Sequence, residues 1–83
     1  MIRSMQARMA RAALNWTVRE LEKRCGVGRN TISRFEAGKD VMASSLELLE
    51  RTFQEAGIVF FDEDPTHGTG AGIVKKAAWQ KSR

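Results

Sequence analysis

Residues 17–37 carry two helical patterns separated only by the turn Cys25-Gly26-Val27-Gly28, and this close succession limits the chain more than any other feature. A helix that stops and restarts within three residues must cross its successor at a steep angle, with one apolar side of each facing the same core. The first pattern opens on a capping box. Thr17 is placed to accept from the amide three residues on, and Glu20 to reach back to the Thr17 amide. Trp16 and Leu21 occupy the positions of a hydrophobic staple, Val18, Leu21 and Cys25 repeat at helical spacing, and Gly26 is a natural stop. The second pattern runs from Arg29 to Ala37 and ends at Gly38. At about 100° per residue, Arg29, Asn30, Ser33, Arg34 and Ala37 fall within an arc of about 140°, while Thr31, Ile32 and Phe35 lie opposite. One face is built to pack. The other presents two guanidinium groups, a carboxamide and a hydroxyl without an acid, and Glu36 is the only charged residue on the flank between them.

The rest of the chain supplies the core these helices need. Residues 4–14 predict a first helix with Met5, Met9, Ala12 and Ala13 as its apolar face and Arg8 and Arg11 beside it. A second capping box, Ser44 with Glu47, predicts a helix that carries Leu46, Leu49, Phe53 and Ala56 inward and stops at Gly57, leaving Glu47, Glu50 and Glu55 as a solvated face. Ile58-Val59-Phe60-Phe61 then reads as a buried strand, and Gly72-Ile73-Val74 as a shorter second one beyond a polar loop at 62–70. The two strands either form a hairpin or pair with their copies in another subunit. Lys75 to Arg83 reads as a basic tail, frayed unless Trp79 docks.

With 83 residues there is room for one small domain, whose thin core makes a dimer plausible from length alone. The expected organisation is a helical unit over 1–57, a strand or hairpin extension over 58–75 that serves dimerisation, and the tail. A single cysteine excludes an intramolecular disulfide, and with one histidine it excludes the usual four-ligand zinc sites. Cys25 reads as a small buried residue. No apolar run reaches the roughly 18 residues of a membrane span, and no secretory pattern follows the first charges. The acid-free, arginine-bearing stretch 1–14 has the composition of a mitochondrial transit peptide, but its periodicity continues into the next helix without a cleavage-like break. The expectation is a cytoplasmic protein, without membrane association.

Charge is polarised along the chain. Residues 1–24 hold six Lys/Arg against two Glu, a balance of +4, and residues 44–64 hold one Arg against six acids, a balance of −5. A polyanion is drawn to the first half and repelled by the second segment, which orients an encounter before contact. Other motifs carry less. Gly68-Thr69-Gly70-Ala71-Gly72 lacks the Lys-Ser/Thr and the βαβ setting of a phosphate loop. Asp62, Asp64 and His67 fit no calcium-loop spacing, and one distant Cys and His offer no catalytic geometry. No metal, no cofactor and no enzymatic activity are expected.

Thr17-Val18-Arg19-Glu20-Leu21, Gly26-Val27, Thr31-Ile32-Ser33 and Phe35-Glu36-Ala37-Gly38-Lys39 together resemble the XRE-type (phage repressor-like) helix-turn-helix regulators over about residues 5–57. The most specific of these is a glutamate, one residue, then Gly-Lys. The resemblance implies a mainly α fold, a lambda-repressor-like helix-turn-helix bundle of four helices followed here by a short C-terminal β-hairpin or dimerising strand. The chain departs from the family at Val18, where Gln is usual, and after the fourth helix, where strands replace a further helix.

The function implied is a sequence-specific DNA-binding transcriptional regulator, a repressor, that binds a palindromic operator on double-stranded DNA as a homodimer at the nucleoid. Arg29, Asn30, Ser33 and Arg34 are implied to face base edges. Their chemistry suits this: Arg donates twice to guanine, Asn pairs bidentately with adenine, and Ser serves either. Thr17, Arg19, Thr31 and Lys39 are the expected phosphate contacts, the first at a helix N-terminus that favours an anion. The resemblance also implies a structural ion pair between Arg11 and Glu36, and Ile58, Val59, Phe60 and Phe61 are expected at a dimer interface. The alternative is an antitoxin or antiactivator whose strands or tail hold a toxin or other regulatory protein while the helices autoregulate its promoter.

Overall fold

A computed structural model describes residues 1–62 and 70–76 of the chain. In them, α1 (Ser4–Leu14), α2 (Val18–Cys25), α3 (Arg29–Glu36) and α4 (Ala43–Glu55) precede two strands, β1 (Ile58–Phe61) and β2 (Gly72–Lys75). The strands pair antiparallel within the chain, with Val59 opposite Val74 and Phe60 opposite Ile73, so the hairpin is realised and neither strand waits for a copy to complete it. The tail from residue 77, with Trp79, and the loop residues Asp64 and His67 lie outside the described residues.

Local signals fix the helix ends. Thr17 Oγ1 accepts from the Glu20 amide at 3.1 Å, and Glu20 Oε1 accepts from the Thr17 amide at 2.9 Å, which closes the capping box of α2. Gly26 caps the other end at φ 78°, a left-handed conformation costly for a residue with a Cβ, and its amide returns to the Glu22 carbonyl at 2.9 Å. Without that reversal α2 and α3 would merge. The expected box at Ser44 and Glu47 does not form. Helix α4 starts two residues earlier, at Ala43, with Met42 in place of Ser44 at its N-cap and no side-chain cap, because the Met42 carbonyl already accepts the Ser45 and Leu46 amides.

The core is small and closely assembled. Leu21, Ile32, Leu49, Phe53 and Ile58 are at most 2% exposed, and each such side chain contributes about 1.5–3 kcal/mol on burial. Phe53 of α4 is central to it: Trp16 stacks on it at 6.1 Å between ring centroids, and Phe60 meets it edge-on at 6.0 Å. Arg24 lies over the far face of this group, 4.4 Å from the Trp16 ring centroid.

Helix α1 turns a different face inward from the one its methionines suggest. Met5, Met9, Ala12 and Ala13 are exposed, and the buried positions are Gln6, Ala7 and Ala10. Two alanines let the helix approach the core closely, and a buried glutamine is tolerated because all its polar atoms find partners. Gln6 Nε2 donates to the carbonyls of Phe61 (2.7 Å) and Gly72 (3.1 Å), and its Oε1 accepts from the Arg3 amide (2.8 Å). The hairpin is thereby pinned to α1.

Strand alternation also divides the expected dimer surface. Ile58 is 2% exposed and Phe60 packs on Phe53, so both belong to their own subunit's core. Only Val59 and Phe61 of the four project outward, because successive side chains leave a strand on opposite faces.

Candidate nucleic-acid interface

Helix α3 is placed by three contacts that reach it from other helices. At its start, Gly28 offers no side-chain cap, and Glu22 of α2 supplies one: its Oε2 accepts from the Arg29 amide at 2.9 Å. At its end, Arg11 of α1 grips the Glu36 carboxylate through Nε (2.9 Å) and Nη2 (2.8 Å), and Arg8 donates to the Glu36 carbonyl. Arg11 also donates from Nη1 to the Trp16 carbonyl at 3.2 Å, so one guanidinium ties the α1–α2 turn to the end of α3. The bond to Glu36 raises the Arg11 pKa, against the opposing effect of burial. No signal in the sequence exposed the roles of Gln6, Arg8 or Glu22, since their partners are backbone atoms of other elements, whose positions only the fold sets. Burial pushes the Cys25 thiol up, consistent with a packing residue.

With both ends of α3 held, its inner face buries Ile32 and Phe35 and its outer face is open. Arg29, Asn30, Ser33, Arg34 and Ala37 are all exposed, and Thr31 is half-buried at the margin. Among the described residues neither the Arg29 nor the Arg34 side chain has an ion pair. Asp40 lines, with Thr31, Arg34, Val41, Met42 and Ser45, a cleft of about 420 Å³ between α3 and the start of α4, and the Glu22 carboxylate is taken up by the Arg29 backbone amide. Both cations remain available.

The expected phosphate contacts fall on a surface flanking α3. Thr17 and Arg19 are exposed at the start of α2, and Lys39 is exposed one residue past Gly38, its amide held by the Arg34 carbonyl at 3.0 Å. The capping box consumes the Thr17 and Glu20 amides, and among the described residues those of Val18 and Arg19, in the first turn of α2, are left for an anion. The Thr17 backbone bond, and then its hydroxyl, hold the Glu20 carboxyl below its usual range, so this helix start carries its own negative charge.

A family model for the helix-turn-helix domain matches residues 8–56, more than half of the chain and the whole of α2, α3 and α4. The protein belongs to the XRE family of helix-turn-helix DNA-binding transcription regulators, a family of binding proteins and not of enzymes. No curated protein matches the sequence. No helix among the described residues is long and apolar enough to cross a membrane.

Proposed function

We propose that this protein is a sequence-specific repressor that binds a roughly palindromic operator as a homodimer, with α3 of each subunit in a major groove. The observation that carries the reading is the outer face of α3. Arg29 and Arg34 stand exposed beside Asn30 and Ser33, without an ion pair among the described residues, while Ile32 and Phe35 fix the rotation of the helix from behind. Arginine in this setting donates two bonds to guanine O6 and N7, and the carboxamide of Asn30 matches adenine N6 and N7. Thr17, Arg19, Thr31 and Lys39 hold the flanking phosphates and set the register without reading sequence.

A two-fold regulator of this kind sets its two α3 helices about one turn of DNA apart, roughly 34 Å, the spacing of successive major-groove faces. The nucleoid in the cytoplasm is then its place of action. With on the order of six to ten phosphates neutralised per dimer, affinity falls by about 10³ to 10⁵ between 50 and 200 mM salt.

Selection of bound sequences from random duplex DNA, followed by footprinting, tests the reading. Two inverted half-sites centred about 10 base pairs apart are expected. Enrichment of no sequence, or binding unaffected by salt, would refute it.

A further inference from the structure

The apolar stripe of α1 and the outward face of the hairpin are left uncovered by the subunit's own fold. On α1, Met5 and Met9 are 37% and 42% exposed. On the hairpin, Val59 and Val74 form a cross-strand pair 42% and 54% exposed, and Phe61 lies across Gly72 with 37% of its surface exposed. The Phe61 ring rests where a Gly72 Cβ would stand, 2.7 Å from its Cζ, so the glycine allows a flat aromatic surface at the end of the sheet.

Gln6 brings the two regions together. It lies between Met5 and Met9 in the α1 sequence, and its amide is bonded to both Phe61 and Gly72. We propose that Met5, Met9, Val59, Phe61 and Val74 form one surface on which a second copy of this chain seats in an isologous, two-fold contact. The proposal rests on the reading of the protein as a dimeric regulator and assigns the surface that makes it one.

Two properties select an identical copy as the occupant. The first is charge. The chain carries +4 overall, yet none of these five residues is charged, nor are the exposed Ala12 and Ala13 that continue the stripe. Two identical cationic chains associate best where neither presents charge, whereas an unrelated acidic partner gains nothing from a neutral patch. The second is area. These are five large apolar side chains, each 37–54% exposed, of the kind that form the apolar centre of a standard interface of about 800 Å² per partner. No residue of α2 or α3 belongs to the set, so a copy seated there leaves the reading face of α3 open. A two-stranded sheet is also marginal with one face in water, and a copy laid on it protects it.

Sedimentation equilibrium of the full chain, without DNA, tests the assignment. The wild type is expected to be a dimer. Val74→Asp and, independently, Met9→Glu are expected to raise the dimer dissociation constant by at least about tenfold with unchanged helical circular dichroism, because each places an unpaired charge in a surface that must lose water. Leu48→Glu alters an exposed leucine on α4, outside the surface, and is expected to leave association as in the wild type. Should one variant fail to fold, the other still decides, since they lie on different elements. Dimers of wild-type strength in both variants would overturn the assigned surface while leaving the dimeric reading intact. A wild-type monomer that also occupies a palindromic operator one subunit at a time would overturn both.

Discussion

Arg11 and Glu36 meet side-on, two guanidinium nitrogens against two carboxylate oxygens at 2.8 and 2.9 Å, with the Glu36 side chain 10% exposed and that of Arg11 26%. Bidentate pairing of this kind fixes orientation as well as distance, so it sets where α3 ends relative to α1. The cost of breaking it depends on which partner is left. Arg11→Ala leaves a nearly buried carboxylate and is expected to cost about 2–4 kcal/mol. Glu36→Ala leaves a cation with easier access to water and is expected to cost less. Urea unfolding of the two variants gives the order; equal losses would mean that burial of the carboxylate plays no part.

Gln6 is expected to govern the hairpin more than the reading helices. Gln6→Leu keeps the volume but leaves the Phe61 and Gly72 carbonyls without this donor, at about 1–3 kcal/mol. Hydrogen exchange should quicken at the amides of β1 and β2 well before those of α2 and α3. Uniform loss of protection across the domain would contradict the local role.

Gly72→Ala puts a methyl group against the Phe61 ring and forces it aside. A loss of about 1 kcal/mol is expected, most of it absent when the same change is made in a Phe61→Ala background. Additive losses in the double-mutant cycle would show that the contact is not the cause.

The capping box of α2 gives a pH dependence of defined sign. The Glu20 carboxyl titrates below its usual range in the folded protein, so its contribution is complete above the ordinary glutamate pKa of about 4.3 and is lost as pH falls through the lower folded value. Compared across pH, wild type and Glu20→Gln should differ most near neutrality and converge in acid. A difference that widens on acidification would reverse the assignment.

The sequence made the surface chemistry legible where spacing alone decides it. Thr17 and Glu20, Gly26, and the division of α3 into Ile32 and Phe35 inside with Arg29, Asn30, Ser33 and Arg34 outside all follow from residue type and helical period. The bounds of α1 followed as well, but its buried face did not. Periodicity ranks methionine above alanine and glutamine, whereas packing favoured the small Ala7 and Ala10 and a glutamine whose partners lie 55 and 66 residues away. Ser44 failed as a cap for a related reason: a local motif was displaced by a backbone that began its turn at Met42. Strand parity separated Ile58 and Phe60 from Val59 and Phe61, which a four-residue apolar run does not reveal. Glu22 and Arg8 place α3 through backbone contacts that leave no trace in local sequence.

Base readout by α3, with the flanking phosphates held by its neighbours, is tested by competition binding of three alanine variants to the selected operator and to random DNA. Arg29→Ala and Arg34→Ala are each expected to lose about 1–3 kcal/mol on the operator and much less on random DNA, whereas Lys39→Ala should weaken both alike and lower the salt slope by about one. Equal losses on both DNAs for all three variants would contradict the assignment of Arg29 and Arg34 to base readout.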